Sequence, residues 1–436
     1  MTAKAESISL EPYESMKDSG VEWVGQIPVN WDVVKIRQIF RERRQKVSDK
    51  DYKPLSVTKL GIVPQLDTAA KTDYGDNRKR VCVNDFVINS RSDRKGSSGV
   101  SPLDGSVSVI STVLRILYGH TPYIHHLLRS ENFQQEYFRW GRGIVDDLWT
   151  TKFVDIKTNF LCFPSPEEQV AIANFLDREL ECIDTHIERY RKLIELLEEK
   201  RTSIINQVVT KGLDPNACMK DSGIEWLGTI PKEWNVKLLK YIGRISKGQV
   251  NPEQEPYNAM TLIAPDHIES KTGVILKIET ADEQGAISGK YLANKDEIIY
   301  SKIRPELQKA CMAPDNCLCS ADMYPIKPKE EILPELLMFV LLSHYFTSLM
   351  VLESMRVAMP KVNREVVKNS PICIPPKRAQ KLIIAELNSE LKKIDLVRFN
   401  VISLISKLKE YRTSLISAAV TGKIDVRNHP SAAPLN

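Results

Sequence analysis

With 436 residues and 42% hydrophobic content, the chain is long enough for two or three domains with cores of their own, and it needs no covalent staples to fold. A net charge of +5 permits nucleic-acid binding without demanding it, so local clusters of basic residues must carry that argument. The longest apolar run, LLMFVLL from Leu336, is far short of the roughly 20 residues that span a bilayer, and the opening MTAKAESISLEPYES lacks a signal-peptide core; a cytoplasmic protein with no membrane partner is expected.

In chain order, residues 1–16 read as a tail. MKDSGVEWVGQIPVNW then begins at Met16, and MKDSGIEWLGTIPKEW begins at Met219, an offset of 203. The echo continues. LCFP at Leu161 matches ICIP at Ile372, and EKRTSIINQVVTKGLD from Glu199 aligns without gaps on EYRTSLISAAVTGKID from Glu410, both at an offset of 211. NDFVINSR from Asn84 aligns on KDEIIYSK from Lys295 at that offset, setting Asp85 on Asp296, Ser90 on Ser301 and Arg91 on Lys302. The whole chain is therefore a tandem repeat whose second copy carries a net eight-residue insertion before this strand. Trp23, Trp31, Trp226 and Trp234 recur at identical spacing and read as indoles that pack a strand entry onto its domain, with base stacking as the alternative.

Residues 17–165 and 215–376 mix β-branched runs such as SVSVISTVLRI with helical stretches such as PYIHHLLRSENFQQEYFRW, punctuated by Gly, Pro, Asn and Asp. Each reads as a globular domain of the α/β (α+β) class. Gly-containing basic loops are the places where Arg and Lys could meet guanine or phosphate, and Asn and Gln adenine. In the first domain they supply Arg91, Arg94 and Lys95 after a strand, then Arg139, Arg142 and Lys152 with Trp140 and Trp149; the run from Asn77 to Arg80 reads as a simple loop. In the second they supply Lys302, Arg304, Gln308 and Lys309, then Arg356, Lys361, Asn363 and Arg364. Cys311, Cys317 and Cys319 cluster, yet they offer no C-x-x-C pair and no well-spaced fourth ligand, so no metal is expected.

Residues 166–214 and 377–426 carry apolar residues at helical spacing with almost no internal Gly or Pro, and residues 427–436 form a second tail. The seam runs through Leu176, Leu180, Ile183, Ile187, Ile194, Arg201 and Val208 in the first segment, and Leu387, Leu391, Ile394, Val401, Ile405 and Arg412 in the second. A sustained 3-4 pattern favours a coiled coil. If the copies are equivalent, the first helix delivers the chain to the second domain and the second helix returns it. The expected architecture is thus pseudo-two-fold symmetric, with an antiparallel helix pair holding two domains apart and the termini close together. Roughly 44 residues at ~1.5 Å each span about 66 Å, comparable with about 20 base pairs of DNA. Arg201 and Arg412 interrupt the seam as snorkelling side chains, as a register-setting pair or as contacts to a partner protein.

The duplicated DSG(V/I)EW(V/L)G-x-IP-x-x-W, the FPSPEEQVAIANFLDRELECID that opens a long helix and the RTSII…VTKG that closes it resemble the specificity subunits of type I restriction-modification systems, from about Met16 to Asp425. The resemblance implies a non-catalytic DNA-reading subunit. Its two target-recognition domains would each read half of a bipartite, gapped target in double-stranded DNA. It implies helices that recruit modification (methyltransferase) subunits and, through them, ATP-driven restriction subunits, so that S-adenosylmethionine, ATP and Mg belong to those partners and no cofactor is bound by this chain. One departure stands out: Ala379 occupies the place of Glu168, removing an acidic residue from the first turn of the second helix.

Neither an Asn/Asp-Pro-Pro-aromatic methyltransferase loop nor a G-x-x-x-x-G-K-[ST] phosphate loop occurs in the sequence. The competing readings are a coiled-coil scaffold without direct DNA contact and a stand-alone nuclease or methyltransferase.

Overall fold

The computed structural model describes residues 10–66, 75–143, 149–354 and 361–433. The chain divides into two compact units, unit 1 from residues 1–190 and 403–436 and unit 2 from residues 191–402. The long helices, Pro166–Lys211 and Lys377–Val420, are therefore not independent spacers: each unit owns a stretch of both. Burial explains this. Ile172, Phe175 and Leu176 are at most 1% exposed in unit 1, and Ile205, Val209, Ile383 and Leu387 belong to the main core of unit 2, so the helix ends are parts of the domain cores.

In unit 1 a hairpin pairs Met16–Asp18 with Gln26–Pro28, and Asp32–Lys35 pairs with Phe160–Phe163 just before the first long helix begins. An antiparallel sheet runs in the order Ser98–Val100, Phe86–Asn89, Ser111–Ile116, Phe40–Glu42. A smaller sheet of Gly105–Ser108, Arg78–Val81 and Lys46–Val47 packs on it through Val81, Val87, Val107 and Val113. The predicted long helical stretch is two helices, Thr121–Arg129 and Glu131–Arg139, because Ser130 ends one and caps the other: its Oγ donates to the Leu127 carbonyl and accepts from the Phe133 N–H.

Unit 2 repeats this order. Met219–Asp221 pairs with Thr229–Pro231, Asn235–Leu238 with Pro371–Ile374, and the larger sheet runs Ala310–Met312, Ile298–Ser301, Met323–Pro328, Gly243–Ile245. Ser343 bonds the Val340 carbonyl and the Phe346 N–H as Ser130 does. The extra residues of this copy lie around Leu262–Ile263 and build a small additional core of Leu262, Ala281 and Leu318.

Hydrogen bonding corrects the repeat alignment by one residue. Asn84 and Asp296 both turn the chain with positive φ, 68° and 65°, and their N–H groups reach the carbonyls of Ser101 and Ala313. Thr151 N–H donates to the Ser90 carbonyl, and Val362 N–H to the Lys302 carbonyl. The offset in this strand is thus 212: Ser90 corresponds to Lys302, and Arg91 to Ile303. Arg91 and Lys302 are not equivalent.

Within each unit the two helix stretches run antiparallel, tied by one repeat-equivalent ion pair. Arg412 reaches Asp184 at 3.1 Å in unit 1, and Arg201 reaches Asp395 at 2.6 Å in unit 2. The arginines that break the apolar seam are therefore ion-paired to an aspartate of the facing helix. Arg201, 6% exposed, also donates to the carbonyls of Lys271 and Thr272. Leu176, Ile183, Ile187, Leu387 and Ile394 are all buried. Near its C-terminal end the first helix also buries Ile205, outside the predicted seam and 1% exposed.

In unit 1 the segments around Glu11 and Asp425 meet. Asp425 N–H donates to the Glu11 carbonyl at 2.8 Å, and Lys423 Nζ donates to the Val24 carbonyl at 3.0 Å. Among the described residues no single helix is long and apolar enough to cross a membrane. The bent pair Pro334–Leu341 and His344–Ser354, apolar enough together, supplies Leu336, Leu337, Val340 and Phe346 to the unit 2 core.

Candidate nucleic-acid interface

Two conserved features of the repeat hold each long helix to its domain. Gln169, fully buried, accepts from the His120 N–H and donates to the Pro164 carbonyl. Gln380 accepts from the Leu333 N–H and donates to the carbonyls of Glu331 and Pro375. Each amide satisfies an orphan N–H at the start of a domain helix and a carbonyl at the strand exit, so it ties the long helix to its domain.

Glu168 does more than favour a helix dipole. It is 4% exposed and accepts from the Tyr13 hydroxyl at 2.5 Å, the Trp31 indole N–H at 3.1 Å and the Asn30 amide at 3.3 Å. Burial and the adjacent carboxylate push the Tyr13 phenol far above its ordinary value, keeping it a donor. Arg427 stacks on the Tyr13 ring while pairing with Asp425. In unit 2 Ala379 stands in place of Glu168 and lines a cavity of about 550 Å³ with Trp234, Gly212 and Leu382. The remaining indoles are also structural: Trp23 meets Phe133 edge-on at 6.2 Å, and Trp226 stacks on Tyr345 at 5.6 Å.

The predicted basic residues of unit 1 fall in two places. Arg91, Thr150 and Lys152 border a cavity of about 690 Å³ together with Arg44, Lys79, Glu42, Val109, Ile110 and Val154. Ser90 and Thr112, buried and 2.8 Å apart, also line it. Arg94 and Lys95 are exposed on the turn at Ser92–Arg94, where Asp93 pairs with Arg91 at 3.0 Å and lies 3.7 Å from Arg94. Arg142 bridges Thr150 through its backbone and pairs with Asp155 at 3.2 Å, its side chain 80% exposed. Arg139 is held by Glu22 and Glu136, and the Trp140 indole donates to Glu136. The run from Asn77 is not a simple loop: Arg78 opens a strand, 5% exposed, and donates to Ser106, while Arg80 stacks on Tyr52. Arg44 and Lys79 were not legible as cavity residues, because only the sheet order brings them beside Arg91.

In unit 2 the geometry removes one candidate outright. Gln308 is 5% exposed, its backbone in the left-handed region, and its amide donates to the Thr347 hydroxyl at 2.9 Å, so it cannot reach a base edge. Lys302 is also committed inward, donating to the Ala321 carbonyl at 2.6 Å and lying over the Tyr324 ring; burial lowers its pKa. Arg364 donates to the Ser246 carbonyl at 2.7 Å and packs against the rings of Tyr291 and Tyr324. Asn363 is an N-cap, accepting from the Val366 N–H. Lys309 donates to the Pro265 carbonyl. Lys361, 3.6 Å from Asp322, and Arg304 are exposed. Arg356 lies outside the described residues.

The clustered cysteines are core residues. Cys311, Cys317 and Cys319 are at most 1% exposed among Ile263, Ile299 and Met323. Burial pushes the thiols of Cys311 and Cys317 up to about 12, as in an apolar core.

Comparison with known proteins agrees along almost the full length. The family model described as the type I restriction modification DNA specificity domain matches residues 231–406. The type I restriction enzyme EcoDI specificity subunit of Escherichia coli is 28% identical over 430 residues, covering 92% of this chain and 90% of the relative. The MjaVIII specificity subunit of Methanocaldococcus jannaschii is 25% identical, covering 92% and 95%. Among solved structures, a chain from a study of complex assembly and conformational transition of the type I R-M system superposes with a TM-score of 0.63 at 15% identity, covering 90% of this chain and 98% of that one. The HsdS subunit from Thermoanaerobacter tengcongensis superposes with a TM-score of 0.52 at 16% identity, covering 91% and 98%.

Proposed function

We propose that the chain is a specificity subunit of the type I restriction-modification family, that it reads a bipartite DNA target, one half through the exposed basic surface of each unit, and that it catalyses nothing itself. One observation carries this reading: a single scaffold occurs twice, with its helix anchors and capping residues kept and its loop side chains changed. A protein that must present two different surfaces to two half-sites needs that combination. In unit 1 the surface comprises Arg91, Lys152, Arg44 and Lys79 around the cavity, together with the exposed loop residues Arg94, Lys95 and Arg142. In unit 2 it comprises Arg304 and Lys361; Lys302, Asn363 and Arg364 position their loops.

Methyl transfer from S-adenosylmethionine and ATP-driven, Mg-dependent cleavage then belong to modification and restriction partners. The exposed parts of the two long helices, where the apolar seam is already paired, are the recruiting surface. Gel shifts of the full chain against duplexes carrying the target, deduced from methylated positions in host DNA, test the reading. Tight binding whose affinity falls steeply with salt supports it, and salt-independent or absent binding favours a scaffold that never touches DNA.

A further inference from the structure

Unit 1 and unit 2 differ in side-chain size at one point of their shared scaffold. With the offset of 212 fixed by the strand hydrogen bonds, Ser90, Thr112 and Lys79 of unit 1 correspond to Lys302, Tyr324 and Tyr291 of unit 2. In unit 2 those three side chains converge with Arg364 into a closed stack: the Lys302 ammonium lies 5.4 Å from the Tyr324 ring centre, and the Arg364 guanidinium 5.2 Å from Tyr324 and 5.7 Å from Tyr291. In unit 1 two small hydroxyl side chains occupy the first two places, and a cavity of about 690 Å³ opens above them.

The lining of that cavity selects for an anion. Its lining sets Arg44, Lys79, Arg91 and Lys152 against one carboxylate, Glu42, which pairs with Arg44 at 2.7 Å, while Asp93, outside the lining, pairs with Arg91 at 3.0 Å. Lys79 is desolvated enough for its pKa to fall, although its ammonium donates to the Ser111 carbonyl at 2.8 Å and sits 3.7 Å from Glu42. An arriving anion would compensate that cost. The mutual bond between Ser90 and Thr112 uses one of their two hydroxyl protons, leaving the other for a ligand oxygen. The space is several times larger than one inorganic ion requires, and Val109 and Ile110, 41% and 42% exposed, form an apolar rim suited to a sugar face.

We propose that this cavity holds a phosphodiester stretch of the DNA backbone, a site that unit 2 has filled with its own side chains, so that unit 1 supplies the larger share of the grip on DNA. This rests on the DNA-reading function above. Unit 2 then depends more on contacts from its exposed loops and less on backbone charge.

The experiment uses the full chain and a target duplex, with affinity measured by fluorescence anisotropy across a salt series. Ser90→Lys combined with Thr112→Tyr installs the unit 2 side chains in the cavity; Arg44→Ala combined with Lys152→Ala removes two exposed cations and keeps the test open if the first variant does not fold. The expected result for a folded variant is an affinity loss of about tenfold or more, with the slope of log affinity against log salt shallower by about 1–2, since each phosphate contact contributes about 0.9. Natural affinity and slope in the folded variants overturn the cavity assignment alone. A chain that binds no duplex at any salt contradicts the DNA-reading function and the cavity assignment together. Deoxyadenosine monophosphate binding to the natural chain, lost in the variants while their duplex affinity is unchanged, assigns the cavity to a free nucleotide and also overturns the proposal.

Discussion

At the start of its long helix, unit 1 buries a carboxylate that collects three donors, whereas unit 2 has an alanine methyl beside a cavity at the same position. One residue later both units carry a buried glutamine making the same kinds of bonds. The contrast separates two sorts of repeat position. Groups that satisfy backbone N–H and C=O at helix ends and strand exits are retained, because losing one leaves a buried polar group unpaired in either copy. Groups that serve only their own unit are free to change. Glu168 belongs to the second sort, since its donors Tyr13 and Asn30 lie in the stretch that meets the segment around Asp425.

The largest effect is expected there. Glu168→Ala leaves the Trp31 indole and the Tyr13 hydroxyl without their acceptor, at about 1–3 kcal/mol for each buried donor, so urea unfolding should show a loss of about 2–6 kcal/mol. The reverse change, Ala379→Glu, enters an existing cavity and should shift stability by less than about 1 kcal/mol. Equal effects of the two substitutions would show that the carboxylate is not a hub particular to unit 1.

The helix ion pairs come next, because they place the same chemistry in two burial settings. Asp395→Ala strands the Arg201 guanidinium, whose side chain is 8% exposed, although Asp395 itself is 45% exposed. Discounting the 3–5 kcal/mol typical of a broken buried pair for that exposure gives about 2–3 kcal/mol. Asp184→Ala strands Arg412, whose side chain is 38% exposed, and should cost less than about 1 kcal/mol. Chemical denaturation of both variants compares them directly.

A smaller difference should appear with acid. Burial and the Arg129 guanidinium beside it hold the His125 imidazole down to about 3, where its Nδ1 accepts from the Val100 N–H. Below the unfolded value of 6.5 the unfolded chain binds a proton that the folded one refuses, so stability present above that pH is lost progressively as pH falls toward 3. The equivalent residue in unit 2 is Met338, which does not titrate. Only the upper part of this window is sampled above pH 5.5, so the expected signal there is a modest drop in Tm that His125→Met removes.

Much of this architecture is visible in the sequence because the repeat is. The Trp motif, the LCFP and ICIP strands and the ends of the long helices keep their offsets to the residue. The strand between them does not, and the reason is physical. Phe86, Val87 and Ile88 are all buried, as are Ile298, Ile299, Tyr300 and Ser301, so neither strand shows the alternation that would fix its register. Matching Asp to Asp and Ser to Ser then favours an alignment one residue away from the hydrogen-bonded one. The same limit applies to the site. Gln308 sits in a basic loop that reads as exposed, but the turn around Pro305 points its amide at Thr347. Arg44 and Lys79 come from strands far apart in sequence and meet Arg91 only through sheet order.

The central claim is that two copies of one scaffold read separate halves of a target. Replacing residues 32–160 with the matching stretch of a relative, and mapping methylated positions in host DNA by sequencing, tests it most directly. The account predicts that one half of the recognised sequence changes and the other half stays as it was. A change in both halves would contradict it.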